Sequence, residues 1–397
     1  MPGCLRTLLA ALLALLATAA AALEPIRIGV SGPFTGGSSP MGISMRDGIR
    51  LAAREINDAG GILGRPVQLI ERDDEARPER GAVVVQELIH REKIVAGLGI
   101  VNTGVALASQ RFYQQARIPM ITSVATGSVI TRQFQPPQYA DNYIFRASAP
   151  DSIQAAMIVE EAVVRRHFHK LAILHDSTNY GQLGRDDLER ALERHGLKPV
   201  AVERFSIGDV DMTAQLARAR AAGAEVILTY ALGPEMAHLA NNLVRLDWKV
   251  PLVGSWALSM SNFIDKAGPN AEGTRMPLSF IQEGDTPRRR AFIDHYRRTV
   301  GVERIPVPSA AAQGYDSMQL LAAAIRQARS TDGPRLREAL EALREKVDGL
   351  VMTYQQPYSK TDHETIDSPR VLVIGEIRNG QVVFAYDEDR KRQPNNK

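Results

Sequence analysis

The chain has little of what most secreted enzymes work with. Its 397 residues include a single cysteine, Cys4, two tryptophans and eight histidines. Cys4 lies ahead of the only long apolar run, Leu8 to Leu16. That run is preceded by Arg6 and followed by the small-residue stretch Ala17 to Ala22, with an Ala-x-Ala pattern at Ala20 and Ala22. This is the layout of a secretory leader, so residues 1–22 are expected to be removed and the mature protein to be exported. The run is too short to span a bilayer comfortably, and no basic cluster follows it. A lipoprotein signal would need its cysteine after the run. A mature chain without cysteine excludes disulfides, thiol catalysis and Cys-based metal sites.

Other absences narrow the function. There is no Gly-Lys dipeptide and hence no P-loop. There is no Gly-x-Ser-x-Gly elbow and no His-Glu-x-x-His helix. The pair Gly97 and Gly99 lacks a third glycine at position 102, where Asn102 stands, so the dinucleotide fingerprint fails. His167-x-His169 sits at a helix end, where basic groups suit the dipole, and is given no metal role. Asp73-Asp74-Glu75 reads as a solvated or capping loop. With 48 basic and 45 acidic residues, no excess of charge points to nucleic acid or an anionic membrane. No enzyme class and no cofactor is indicated.

What remains is a rhythm of strands and helices. Residues 26–30 read as a strand, followed by a glycine-rich loop from Gly32 to Gly42. Met45, Ile49, Ala52 and Ile56 then share one helical face, which Gly60-Gly61 ends. Strand 67–70, helix 79–92, strand 94–98, helix 104–116 and strand 118–122 continue the alternation. A second series runs from helix 151–166 and strand 170–174 through a charged helix ending at Gly196. Strand 199–205, helix 212–222, strand 225–230, helix 234–246 and strand 250–254 complete it. Such alternation specifies parallel sheets covered by helices on both faces. Past about residue 275 helices dominate, at 287–300, 309–328 and 334–346. Asn379-Gly380 then marks a hairpin within 371–386. The charged tail from Asp387 is expected to fray. The fold class is α/β, with two doubly wound parallel-sheet domains.

Several short motifs, taken in order, resemble one family. They are Ile28-Gly29-Val30-Ser31-Gly32-Pro33, the stretch Gly48 to Gly61 with Glu55-Ile56-Asn57, Asp73-Asp74, Pro119-Met120-Ile121 with Ala125-Thr126, Phe145-Arg146, Tyr180-Gly181, and Gln313-Gly314-Tyr315-Asp316. Together they are similar to the leucine/isoleucine/valine-binding type of periplasmic receptor that serves ABC importers. The resemblance implies the type I periplasmic binding protein fold, with a hinge of three crossings. Domain one would be 24–147 plus 276–350, domain two 148–275 plus 351–387, and 388–397 a tail. It further implies a small-molecule solute, an inner-membrane ABC permease as partner, and a monomer that neither spans the membrane nor binds nucleic acid.

Open parallel sheets bind ligands beyond the carboxyl ends of their strands, where helix N-termini suit a carboxylate. Two loops stand there: Asn102-Thr103, and Val124-Ala125-Thr126. The resemblance implies that they grip the ligand carboxylate and, through a backbone carbonyl, its amino group; plain N-capping by Asn102 and Thr126 is the alternative. The resemblance implies a side chain over the ligand at Met41, which reads equally as a plain loop residue. Tyr180 is placed to close over the ligand or to serve as a turn tyrosine, and Tyr230 to line the cleft or to end a buried strand. Family receptors for amino acids carry an acid two positions after the glycine at the end of strand 250–254. Here Gly254-Ser255-Trp256 offers an indole instead, unless Trp256 merely packs the core. A buried ammonium would then lack its charged partner, which favours an aromatic or aliphatic carboxylate, or an amide, over an α-amino acid. Uptake of a small carboxylate-bearing solute, a branched-chain or related amino acid as the resemblance implies, is the leading function, with an aromatic or aliphatic carboxylic acid lacking the amino group as the other ligand. A ligand sensor and a secreted hydrolase are the alternatives, the latter without a nucleophile, metal set or paired carboxylates.

Overall fold

Strand β1 (Ile26–Gly32) is buried at six of its seven positions, as a central parallel strand covered on both faces must be. In this computed structural model, which describes residues 24–283 and 286–392, it lies inside a five-stranded parallel sheet. The order is β2-β1-β3-β4-β5, with β2 Val67–Asp73, β3 Ala96–Gly99, β4 Met120–Thr122 and β5 Ile144–Arg146. Helices α1 (Ser39–Asp58), α2 (Pro78–Gln86) and α3 (Thr103–Ala116) make the crossovers. The leader expected over 1–22 and the last tail residues, 393–397, lie outside the described residues.

The second sheet has seven strands in the order β14-β13-β10-β9-β8-β6-β7. Strands β6 (Leu171–Asp176), β7 (Ala201–Phe205), β8 (Val226–Tyr230), β9 (Leu252–Gly254) and β10 (Arg275–Leu278) are parallel. Helices α4 (Asp151–Val159), α5 (Asn179–Glu193), α6 (Thr213–Ala221), α7 (Gly233–Arg245) and α8 (Ser261–Ala267) accompany them. Then come α9 (Pro287–Val300), α10 (Pro308–Ala328), α11 (Gly333–Glu341) and the small pair β11 (Val347–Asp348) and β12 (Thr353–Tyr354). The hairpin β13 (Val373–Arg378) and β14 (Gln381–Phe384) adds an antiparallel edge. Its turn has φ of 52° at Asn379 and 69° at Gly380, the left-handed pair that a tight hairpin needs.

The chain leaves the first sheet after β5, returns after β10 to lay α10 against α1, and leaves again to form β13. The α1–α10 contact is close because both helices present glycine. A Cβ on Gly48 would stand 2.0 Å from the Ala311 carbonyl oxygen, and one on Gly314 2.2 Å from that of Met45. The last passage runs alongside β5. The Arg146 N–H donates to the His363 carbonyl at 2.9 Å, and the Arg146 carbonyl accepts from Thr365 N–H at 3.2 Å.

Four differences from the sequence expectations have physical causes. Helix α1 starts at Ser39, inside the expected loop, because Pro40 suits a first turn. Strands β5 and β10 escape a periodicity reading because they have only three and four residues. The helices expected over 79–92 and 151–166 each end in a π-helical stretch, Glu87–Arg91 and Glu160–Arg165. The tail does not fray at Asp387: Asp387–Arg392 is a helix, α12. Three acids in its first turn favour the dipole, Asp389 accepts from Ile374 N–H at 3.2 Å, and Arg390 reaches Glu283 at 2.8 Å.

Candidate functional site

The carboxyl ends of the two sheets face each other. Asn262 on α8 donates to the Gly37 carbonyl at 2.8 Å across the gap. A Cβ on Gly104, in the first turn of α3, would lie 2.9 Å from Asn179 Oδ1 at the start of α5. Between them is a cavity of about 430 Å³ lined from both sides. Asn102, Thr103 and Tyr180 stand on its walls, with Ser38, Ala76 to Pro78, Leu232 and Pro234. The N-termini of α1, α2, α3, α5 and α7 all open toward it.

Deeper in, the polar groups are sealed. Asp151, the first residue of α4, is fully buried. Its N–H donates to the Thr126 carbonyl at 2.8 Å. Tyr230, at the end of β8, donates its hydroxyl to Asp151 Oδ1 at 3.0 Å. The other carboxylate oxygen, Oδ2, is buried and accepts no hydrogen bond among the described residues. Burial pushes the Asp151 carboxyl up to about 7, and the nearby Asp187 adds to the rise; Thr126, Tyr230 and Arg146 pull the other way. Tyr180 stacks obliquely on Tyr230, with ring centroids 5.1 Å apart. The Tyr180 hydroxyl, Ser255 Oγ and Asn102 Oδ1 are likewise buried without a partner among the described residues. Trp256 is 5% exposed, and its backbone N–H reaches Gln154 Oε1 at 3.4 Å.

Local sequence explains this placement. Thr178 caps α5, its hydroxyl accepting from Gly181 N–H at 3.3 Å. Gly181 permits the turn to approach Asp176, where a Cβ would come within 2.4 Å of Oδ1. One turn on, Gly184 lies flat under the Tyr230 ring, and a Cβ there would be 2.0 Å from a ring carbon. The loop after β4 is held by Arg146, which is fully buried. It donates to the carbonyls of Thr126 at 2.9 Å and Gly127 at 2.7 Å, and pairs with Glu364 at 2.5 Å. Thr103 joins the two loops by accepting from Gly127 N–H at 3.3 Å.

The residues singled out from sequence thus divide into three groups. Asn102, Thr103 and Tyr180 line the cavity. Thr126, Tyr230 and Trp256 lie in the sealed interior around Asp151. Val124 and Ala125 are buried in the two core clusters, and the Ala125 carbonyl accepts from Ser148 at 3.0 Å. Met41 lies in the first turn of α1, 3% exposed, and packs in the core rather than in a loop. Asn102 is the N-cap residue of α3 but makes no side-chain cap bond; its amide donates to Ser38 Oγ at 3.1 Å. The acidic run is a hydrogen-bonded loop and not a helix cap: Asp73 accepts from Phe34 N–H and Glu75 N–H, each at 2.9 Å, Asp74 accepts from Ala76 N–H at 2.9 Å, and α2 receives no side-chain cap bond.

Sequence reasoning missed Asp151, Gln154 and Ser255. The only local signal was Pro150-Asp151 opening a helix, which reads as an ordinary helix start. Nothing local says that a tyrosine from 79 residues away will meet that carboxylate.

Comparison with known proteins gives a consistent picture. The family described as periplasmic binding protein matches residues 25–381. The chain is 28% identical over 314 residues to the Leu/Ile/Val-binding protein homolog 3 of Brucella melitensis, covering 79% of this chain and 82% of that one. It is 25% identical to the leucine-, isoleucine-, valine-, threonine- and alanine-binding protein of Pseudomonas aeruginosa, covering 81% and 83%. Among solved structures, a type 1 periplasmic binding protein from Bordetella pertussis superposes with a TM-score of 0.82 at 26% identity, over 91% of this chain and 99% of that one. A solute-binding protein from Rhodopseudomonas palustris, solved with benzoate, has the same fold, with a TM-score of 0.76 at 20% identity over 91% and 95%.

Proposed function

The chain belongs to the periplasmic binding protein family, and on that footing we propose that it captures a small amino acid in the periplasm and delivers it to an inner-membrane ABC permease. One observation carries the amino-acid reading: the buried, unpartnered Oδ2 of Asp151 beside Tyr230 and Tyr180. A buried carboxylate needs a cation or a proton. The sequence argument held that Trp256 leaves a ligand ammonium without a counter-charge. Asp151 supplies that charge from a different element, so the indole no longer argues against an amine. The ligand carboxylate then falls to the start of α3 and to the loop at Thr126, where backbone N–H groups are presented. The relatives named for leucine, isoleucine and valine support this reading.

A single ligand touching both lobes biases the hinge toward closure, and the closed form is what a permease would recognise. The lobes are taken as 24–147 with 279–350 and as 148–278 with 351–387, the strand at 275–278 pairing within the second sheet. A second reading has one observation in its favour: Tyr180, on the cavity lining, packs on Tyr230, an aromatic pair that suits a carboxylate such as the benzoate of the Rhodopseudomonas palustris neighbour. Calorimetry of the purified protein separates the two. Binding of α-amino acids with no response to their des-amino counterparts supports the first; the reverse result replaces it with the second.

A further inference from the structure

Helix α8 belongs to the second lobe, yet three of its residues bond to the first. Its base is tied to α7, where Asn241 donates to the Lys266 carbonyl at 3.3 Å. From there the Ser261 N–H donates to the Pro306 carbonyl at 3.0 Å. The Asn262 amide donates to the Gly37 carbonyl at 2.8 Å. Asp265 accepts from Arg304 with both oxygens, each at 2.6 Å. The receiving segment is fixed to the first lobe. Arg297 of α9 donates to the Glu303 carbonyl at 2.8 Å, the Ile305 N–H to Gln282 at 3.0 Å, and the Val307 N–H to Ser44 of α1 at 3.0 Å.

Neither Asn262 nor Asp265 serves its own helix. Asn262 stands in the first turn, but α8 has no side-chain cap bond. Asp265 lies in the last turn, where the dipole favours a cation. Gly233 leaves room for the Asn262 side chain, since a Cβ there would come within 2.4 Å of its Oδ1. Asn262, Asp265 and Arg304 do not line the interlobe cavity, although Gly37 does. The contacts of α8 therefore join the lobes beside the cavity and outside its lining. We propose that α8 is a latch, in which Asn262 and Asp265 hold the second lobe shut on the first and set how long a trapped solute stays. The closed form is then favoured both by what the solute touches and by what α8 touches. The proposal rests on reading the chain as a solute trap, and not on which solute it takes.

The test measures release of L-leucine and of benzoate from the purified receptor by stopped flow. It compares the wild type with Asn262→Ala, Asp265→Asn and the double variant. Each single variant should release a bound probe about two- to tenfold faster, and the double variant faster than either. The melting temperature of the ligand-free protein should not change. Where leucine is held, its affinity ratio to valine should stay the same, because no lining residue has been altered. Raising salt from about 0.02 M to about 0.5 M should speed release from the wild type and not from Asp265→Asn, since the ion pair is exposed. Release rates equal to the wild type overturn the latch, as does a salt response that Asp265→Asn leaves unchanged. If benzoate is held and leucine is not, the amino-acid reading falls while the latch is still decided. If neither is held, X-ray scattering by the ligand-free protein decides. The double variant is expected to have the larger radius of gyration at low salt, and equal radii overturn the proposal.

Discussion

The hydroxyl of Tyr230 meets the carboxylate of Asp151 at 3.0 Å, joining the end of a strand in the second sheet to the helix that first enters it from the hinge. This contact leaves one oxygen of a fully buried acid without a partner. Replacing Asp151 with Asn keeps an acceptor for Tyr230 and removes the charge. For an amino-acid ligand the expected loss is roughly 2–5 kcal/mol, two to three orders of magnitude in Kd. The melting temperature at pH 8 should hold or rise, because an unpaired buried charge has been removed. Calorimetry and thermal denaturation read the two effects. Unchanged affinity in the Asn variant would falsify the role of Asp151.

The pH dependence has a definite sign. In the folded protein Asp151 is pushed up to about 7 by burial, against an ordinary value of about 4 when unfolded. Its protonated form therefore favours the fold fully below about pH 4, and that contribution is lost as pH rises through about 7. An ammonium ligand needs the ionised form. Its affinity should weaken as pH falls below about 7, by up to about tenfold per unit. A carboxylate without an amino group should do the opposite. Titrating Kd between pH 5 and 8 decides which holds, and a flat profile for an amino acid would count against Asp151 as its partner.

Gly184 lies under the Tyr230 ring, with room for no further carbon. Gly184→Ala is expected to push the ring off Asp151. The cost to stability should be of the order of overpacking elsewhere, about 1–3 kcal/mol by chemical denaturation, with affinity falling alongside. Retained affinity in a destabilised variant would mean that the Tyr230 position does not matter for binding.

Arg146, which is buried, pairs with the half-buried Glu364 and ties the Thr126 loop to the last hinge passage. Arg146→Met strands Glu364 and frees two carbonyls, so a loss of about 3–5 kcal/mol is expected. The double variant Arg146→Met with Glu364→Gln should recover part of it, because no lone charge then remains. Urea titrations of the single and double variants measure this. A double variant no more stable than the single would show that the carbonyl contacts, not the charge pair, dominate.

At the α1–α10 crossing, Gly48→Ala sets a Cβ against the Ala311 carbonyl oxygen. Two backbones must separate, so stability should fall by about 1–3 kcal/mol or more, although alanine is the better helix former. A stabilised variant would show that the crossing is looser than it stands here.

Much of the architecture was written along the chain. The runs 28–30, 171–174 and 226–228 are apolar without alternation because a parallel sheet buries both faces. Asn379-Gly380 makes its turn because two successive left-handed residues are cheap only there. The loops at Asn102-Thr103 and at Thr126 could be placed at strand ends by local pattern alone. Strands β5 and β10 could not, because three and four residues hold too few repeats of an alternating pattern to stand out. Nor could Met41, whose short first turn hid inside a glycine-rich stretch. The charged centre of the site was beyond the sequence for a deeper reason. Asp151 at a helix start and Tyr230 at a strand end are each unremarkable where they stand. Their chemistry comes from desolvation and from each other, and both arise only when the helix at Asp151 folds against the end of β8 beside the Thr126 loop.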